Sequence, residues 1–379
     1  MNNKFPQPIL PGESSMTKTT THTIPGIYKF TSAIVLFVAT FIMLINSVQG
    51  AMDNWTDLGE MLPGSPGASF LTTSNNGEIY GVSASGMAIF RYSLAKGIPD
   101  PIINVPGSGT QAAQVAVAPD GKVYIATSRA YGKGNLAVYN PVSGQINDLG
   151  SIDTEYSQGL VVGPDGKVYI ATCCHGDIAI YDPANSASPW YYMKYPVYNQ
   201  VRLSGLAVGS DGMIYGVTSR IWISPYGNAS LFRLNPATRA ITTIGTIYSG
   251  VHESWAIRNN PYDGRLYMAV GYGMLPQLYT YDPAKSGQGI QYIGQASGGD
   301  NVYSGGLTVA PDGKVYMVTT PDNHYYVFDP TQAQNGLVDL GVGSGGGAPL
   351  VFASDKMLYG MNGNHLVRSN QITGMCQWF

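Results

Sequence analysis

Four histidines, His175, His252, His324 and His365, are the residues of this chain best suited to acid–base or metal chemistry, because an imidazole near neutral pH both takes a proton and offers a lone pair. The fifth, His22, lies apart from them in the first fifty residues. Carboxylates accompany them at Glu253, Asp300 and Asp322, and guanidinium groups at Arg129, Arg202 and Arg220, two of these in the matched contexts Thr127-Ser-Arg129 and Thr218-Ser-Arg220. His252 or His175 is the candidate general base, and Arg202 or Arg220 the group to neutralise a substrate carboxylate. His324, His365 and Glu253 are candidate ligands for one divalent cation, which a two- or three-residue subset of such side chains would hold. Aromatic residues gather in the same segments: Tyr131, Tyr156, Trp222, Tyr226, Trp255, Tyr272 and Tyr303. With Arg129 they form a candidate ligand surface, since ring faces supply area and sparse polar groups fix orientation, as a sugar requires. Three other chemistries lack their motifs: the chain has no Gly-x-Ser-x-Gly elbow, no His-Glu-x-x-His and no Cys-x-x-Cys.

Residues so dispersed need a scaffold that brings them together, and a repeat supplies it. The pattern of a turn dipeptide, one residue, an aliphatic residue and Tyr recurs seven times, with the tyrosines at 80, 124, 169, 215, 267, 316 and 359. Their spacings, 43 to 52 residues, fall in the range of four-stranded propeller blades. Within one unit, Gly159-Leu-Val-Val-Gly163 is a short apolar run and Pro164-Asp-Gly166 a hairpin turn. Lys167-Val-Tyr-Ile-Ala-Thr172 alternates as a half-buried strand, Asp177-Ile-Ala-Ile-Tyr181 is a third strand, and Asp182-Pro183 opens the next turn. An outer strand carries a Leu/Ile-Gly signature, as in Asp148-Leu-Gly150 and Asp339-Leu-Gly341. The fold expected is all-β: a seven-bladed β-propeller of four-stranded antiparallel blades.

The last unit is short of its outer strand, while the signature stands alone near the start as Trp55-Thr-Asp-Leu-Gly59. An amino-terminal strand that completes the carboxy-terminal blade would close the ring and pair an exposed edge. The terminal Met375-Cys-Gln-Trp-Phe379 competes for that role. The four chemical histidines then map to the second-to-third loops and blade-to-blade connections, all on one face of the ring. The opposite face carries the monotonous Asp-Gly and Asp-Pro turns.

With 379 residues, 48 glycines, 27 tyrosines and only 11% charged residues, the composition suits many short strands in one radial domain, residues 51–379. The net charge of −3 excludes a nucleic-acid footprint, and a monomer is expected. Residues 1–50 lie outside the repeat. Lys4, Lys18 and Lys29 precede an apolar run from Ala33 to Ile45, the length of a signal-peptide core and short for a membrane span, so Ala51 is the expected mature start and the protein is expected to be secreted or held at the cell surface. An uncleaved signal anchor is the alternative, and the only expected contact with a membrane. In an oxidising compartment Cys173 and Cys174 form either a strained vicinal disulfide or two thiols, one buried.

The Gly-Leu-Val-Val-Gly-Pro-Asp-Gly-Lys-Val-Tyr-Ile-Ala-Thr unit resembles the blades of streptogramin-lyase-like and NHL-like bacterial propellers, over residues 55–379. The resemblance implies a fold shared by enzymes and inert scaffolds. Streptogramin lyases use a metal with His and Glu in an elimination, and secreted propeller lyases of polysaccharides use His, Tyr and Arg to remove a proton beside a uronate carboxylate. No catalytic position of those families transfers by motif; His252-Glu253 is adjacent, without a Glu-x-His spacing. The function expected is binding of an extracellular polysaccharide on the variable face, with cleavage by β-elimination. The alternative is a non-catalytic recognition or scaffold propeller.

Overall fold

Each turn dipeptide joins the first two strands of an antiparallel sheet, and seven such sheets form the blades of a ring. The computed structural model describes residues 55–369, apart from 130–131, 154, 174–175, 195–201, 220–227, 250–253, 272–273, 300, 304 and 344–346. Blade 3 shows the plan: Ser157–Val162, Val168–Thr172, Ile178–Tyr181 and Trp190–Met193 pair in sequence order. The first strands of the blades contact one another in succession, from blade 1 round to blade 7 and back to blade 1, and so line a central channel.

Blade 7 closes as its short final unit requires. Its first three strands, Gly347–Phe352, Leu358–Asn362 and His365–Ser369, are completed by Trp55–Glu60, which runs antiparallel to the third with Trp55 opposite Ser369. The competing segment, Met375 to Phe379, lies outside the described residues, as do the leader and Cys174. Blade 1 departs from the plan, its outer edge reduced to the pairs Ile98–Pro99 and Ile103–Asn104.

The second strands are not half-buried. Val123–Ser128 and Ile214–Ser219 are buried at every position, because each blade is covered on both sides by its neighbours. The alternation of residue type along these strands separates two interblade cores, and neither side faces water.

The repeated tyrosines lie in those cores, all seven buried. A buried phenol needs a hydrogen-bond partner, and in four blades the turn aspartate supplies it. Tyr169 donates to Asp165 at 2.9 Å, Tyr215 to Asp211 at 2.8 Å, Tyr267 to Asp263 at 2.6 Å and Tyr359 to Asp355 at 2.7 Å. The other oxygen of each carboxylate accepts the backbone N–H two residues on, as in Arg265 to Asp263 at 2.9 Å. The aspartate therefore shapes the turn and anchors the core at once. In blade 1 Glu78 takes the Tyr80 hydroxyl at 2.5 Å, and in blade 2 Asp120 binds Lys122 Nζ at 2.7 Å. The Asp-Pro exits behave as expected: Asp282 and Asp329 each accept the N–H two residues on and open a short 3-10 turn.

Replacing Asp263 with Ala removes the partner of both the Tyr267 hydroxyl and the Arg265 N–H, and is expected to cost about 2–3 kcal/mol in urea unfolding. Burial, then the neighbouring aspartate's hydrogen bond and charge, push the hydroxyls of Tyr169, Tyr215, Tyr267 and Tyr359 well above the ordinary tyrosine value of 10.0. Unfolded tyrosines lose their protons near that value while these keep theirs, so the folded chain holds more protons and stability falls as pH rises. The urea midpoint should hold up to about pH 9 and drop between about pH 10 and 11.5, each tyrosine contributing at most about 1.4 kcal/mol per pH unit. Tyr267→Phe should flatten that alkaline limb.

Candidate functional site

The first strands carry a second regularity at the ends opposite the Asp-Gly turns. Five of the seven interrupt their pairing by one residue: Ser69 in blade 1, Ala113 in blade 2, Gln158 in blade 3, Ser204 in blade 4 and Trp255 in blade 5. Such β-bulges bend a strand and re-aim a side chain. Ser69, Ala113 and Gln158 line one cavity of about 390 Å³, together with Gln111, Gln114, Tyr156, Tyr303 and Thr320. Its walls come from blades 1, 2, 3, 6 and 7, so it is the mouth of the central channel on the loop-rich face. Among the described residues that line it, none is charged. A second cavity, of about 550 Å³, lies on the opposite face among the turns at Asn75, Asn76 and Asp120, where the residues are those of the repeat itself.

The mouth gathers two of the predicted aromatic residues. Tyr156 is half-buried, and its carbonyl accepts the N–H of Cys173 at 2.9 Å, which pins the start of blade 3. Cys173 itself is buried. Tyr303 is exposed, on the connection into blade 6. Arg202, at the start of the first strand of blade 4, donates through Nη2 to Gln158 Oε1 at 3.3 Å and so stands behind the wall of the mouth. Arg129 is exposed, its N–H bonded to the Glu155 carbonyl at 2.7 Å. Trp255 has its backbone at the bulge of blade 5. The remaining candidates, Tyr131, His175, Arg220, Trp222, Tyr226, His252, Glu253, Tyr272 and Asp300, lie outside the described residues.

His324 and His365 are not brought together. Each begins the third strand of its own blade and binds the aspartate of an outer-strand Asp-Leu-Gly signature. His365 Nδ1 donates to Asp57 at 2.9 Å, and His324 Nε2 to Asp339 at 2.6 Å. Asn135 does the same in blade 2, donating to Asp148 at 2.9 Å. Each aspartate also accepts the N–H of its signature glycine, Gly59, Gly150 or Gly341, whose positive φ of 86° to 104° forms the bulge there. The Gly59 N–H, then His365, hold Asp57 below the usual carboxylate range. For Asp339, burial works upward, but hydrogen bonds from Ser297, the Gly341 N–H and His324, with the histidine's charge, hold it below. His324 also stacks on Tyr326, with ring centroids 5.1 Å apart, and its Nδ1 is 3.7 Å from Asp322. Among the described residues no three His, Cys, Asp or Glu side chains converge as a metal centre, so the donors in view do not fit a shared ion.

Ser297, whose hydroxyl binds Asp339, starts the connection that carries Tyr303 to the mouth. The Tyr326 hydroxyl accepts the Gly298 N–H at 2.9 Å and fixes the same loop. The cluster around His324 thus positions one wall of the cavity without lining it.

No protein-family model matches this chain, and no curated protein sequence matches it. Solved structures match it by fold. Virginiamycin B lyase from Staphylococcus aureus superposes with a TM-score of 0.65 at 14% identity, over 83% of this chain and 98% of that one. A second streptogramin B lyase structure gives 0.64 at 14% identity, over 84% and 98%. The fold is streptogramin-lyase-like. Hydrazine synthase from Kuenenia stuttgartiensis follows with 0.63 at 16% identity, over 81% and 97%, so one ring serves unrelated activities and does not choose among them.

The amides of Gln111, Gln114 and Gln158 had no place among the sequence candidates. Glutamine in a strand carries no chemical signature, and the bulges that aim these positions leave no trace in residue type. The close packing behind them gives one test of the site's geometry. A Cβ on Gly305 would stand 2.4 Å from Pro349 Cβ and 2.9 Å from its Cα, across the junction of blades 6 and 7. Gly305→Ala should therefore destabilise by about 1–3 kcal/mol in thermal or urea unfolding and displace the wall that both residues form.

Proposed function

We propose that the axial mouth binds an extracellular saccharide. The observation that carries this reading is the lining: two tyrosines, three carboxamides and several hydroxyls among the described residues, around about 390 Å³. Amides and hydroxyls both donate and accept, as sugar hydroxyl groups do, and ring faces cover the apolar faces of a pyranose. The volume falls in the range of small-ligand pockets, roughly 300–1,000 Å³. The apolar run from Ala33 to Ile45 supports export, which puts the mouth where polysaccharides occur.

A second reading adds turnover, favoured by the likeness of the fold to two lyases and by Arg202 behind the mouth. In that reading a base, His252 or His175, removes the proton beside a uronate carboxylate, which Arg202 or Arg220 neutralises. The electron pair left on carbon forms a double bond, the adjacent carbon–oxygen bond breaks, and the departing oxygen takes up a proton. The non-catalytic alternative keeps the binding and omits this step.

A glycan array probed with residues 51–379 is expected to show a family of related hits, and an array without hits would end the saccharide reading. Against a hit, Gln158→Ala and Tyr303→Ala should each weaken binding about tenfold by calorimetry with folding intact. Incubation with uronate polysaccharides, followed at 235 nm with and without a chelator, separates the two readings: rising absorbance marks elimination, and a flat trace marks recognition alone.

A further inference from the structure

Gln114 lines the mouth and is only 6% exposed, the most buried of the three carboxamides there. It stands on the first strand of blade 2, Gln111–Val117, one residue past the Ala113 bulge toward the Asp-Gly turn. Phe70, Gly159, Gly205 and Ala256 hold the same position in the other four bulged blades. Packing accounts for those residues. Gly159 and Gly205 back onto each other, so that a Cβ on Gly159 would stand 3.1 Å from Gly205 Cα. Ala256 is fully buried in the core between blades 5 and 6, and the Phe70 ring centre lies 5.3 Å from the guanidinium carbon of Arg258. The ring does not call for an amide at this position, yet blade 2 buries one.

Among the described residues the Gln114 carboxamide has no hydrogen-bond partner, so its donor and its acceptor both remain unspent beside the cavity that it lines. Its neighbours are more committed. The Ser69 hydroxyl donates to the Ala112 carbonyl at 3.1 Å, the Ser157 hydroxyl to the Thr127 carbonyl at 3.2 Å, and Gln158 Oε1 accepts from Arg202. A buried amide left unpaired is destabilising, and a ligand that pairs both of its ends removes that penalty. Oε1 and Nε2 lie side by side in one plane. Two hydroxyls on adjacent ring carbons present the matching pair, one giving its proton to Oε1 and the other accepting one from Nε2. An acetamido group does not, because the N–H and C=O of a trans secondary amide point to opposite sides.

We propose that Gln114 is the residue of the mouth that selects its saccharide, and that it takes a sugar unit with free hydroxyls on two adjacent carbons. This rests on the saccharide reading above and narrows it to glycans whose linkages leave such a pair, uronate polymers among them.

The test presents the folded protein with immobilised amylose, xylan, glucomannan and polygalacturonate, whose units keep two adjacent hydroxyls free. The controls are curdlan, whose linkage leaves hydroxyls on alternate carbons only, and chitin, where an acetamido group replaces one of the pair. At least one polymer of the first group is expected to bind about tenfold or more tighter than both controls, since a site built to hydrogen-bond a hydroxyl rejects a ligand that lacks it. Gln114→Met should bring the two groups level. If the methionine variant does not fold, Gln114→Ala decides, since alanine is the residue of blade 5 at this position. A preference that survives in the variant overturns the proposal. Binding of curdlan or chitin by the unaltered protein as tightly as the first group also overturns it and leaves saccharide binding standing. Binding of none of these polymers, with no hit on the glycan array, overturns both.

Discussion

The hydrogen bond from a buried tyrosine to the aspartate of its own turn ties together three levels of this structure. The phenol is too large to sit anywhere except between blades, and its hydroxyl cannot remain buried without a partner. The aspartate can supply one only if the turn brings it back over the second strand, with the tyrosine four residues on. Turn conformation, strand register and interblade spacing are therefore set together by one side-chain pair. A slip of one residue would send the tyrosine to the other face of the blade and leave the carboxylate with the backbone N–H alone. One variant shows that the carboxylate need not come from the turn. In blade 1 it is Glu78, two residues before Tyr80.

The other end of the same strands obeys a different rule. There the first strands of blades 1 to 5 bulge, and in blades 2, 6 and 7 the third strand is latched to the outer strand through an Asp-Leu-Gly aspartate. In blade 7 that latch has a further consequence, because the aspartate, Asp57, sits on the amino-terminal strand that closes the ring. His365 and Asn364 reach across to Asp57 and Glu60, so side chains reinforce the closure that the backbone ladder begins. The carboxylates concerned are largely exposed, which limits each contact to a few tenths of a kcal/mol, up to about 1. The closing strand is held mainly by its ladder and by Trp55 against Tyr325.

Fold and site were unequally legible in the sequence. The seven tyrosines, the Asp-Gly turns and the displaced Trp55-Thr-Asp-Leu-Gly59 specify the ring, its blade count and its closure, because period and turn chemistry are local properties. Burial was misjudged: polar and apolar residues alternate in the second strands, yet both faces are covered, since a strand's environment depends on neighbours that the sequence does not show. At the mouth, Tyr156 and Tyr303 were reachable because aromatic residues in variable loops stand out. Gln114 and Gln158 were not, because only a one-residue bulge distinguishes their placement. His324 and His365 were prominent by type, and the described structure gives each a local partner in the signature aspartate, which had been read only as strand-end patterning.

The separation of these two ends explains how a repetitive ring can carry a specific mouth. The clamp lies at the Asp-Gly face, where Lys122, Lys167 and Lys314 lie against the aspartates of their own turns and leave the turns locally neutral. Its partners are fixed by burial, so substitution there is costly in the four blades that carry it. The bulge residues Ser69, Ala113 and Gln158 lie on the first strands, away from the Asp-Gly turns, line the mouth and take no part in the clamp. Ser69, Ala113 and Gln158 differ in size and polarity while the ladder beneath them continues unchanged. Residue type at these positions can therefore vary blade by blade without breaking the ladder. Arg258 is a contrast: it donates to the Ile257 carbonyl of its own strand and lies over the Phe70 ring of blade 1, across the channel. A residue held that way is tied to ring geometry as the bulge residues are not.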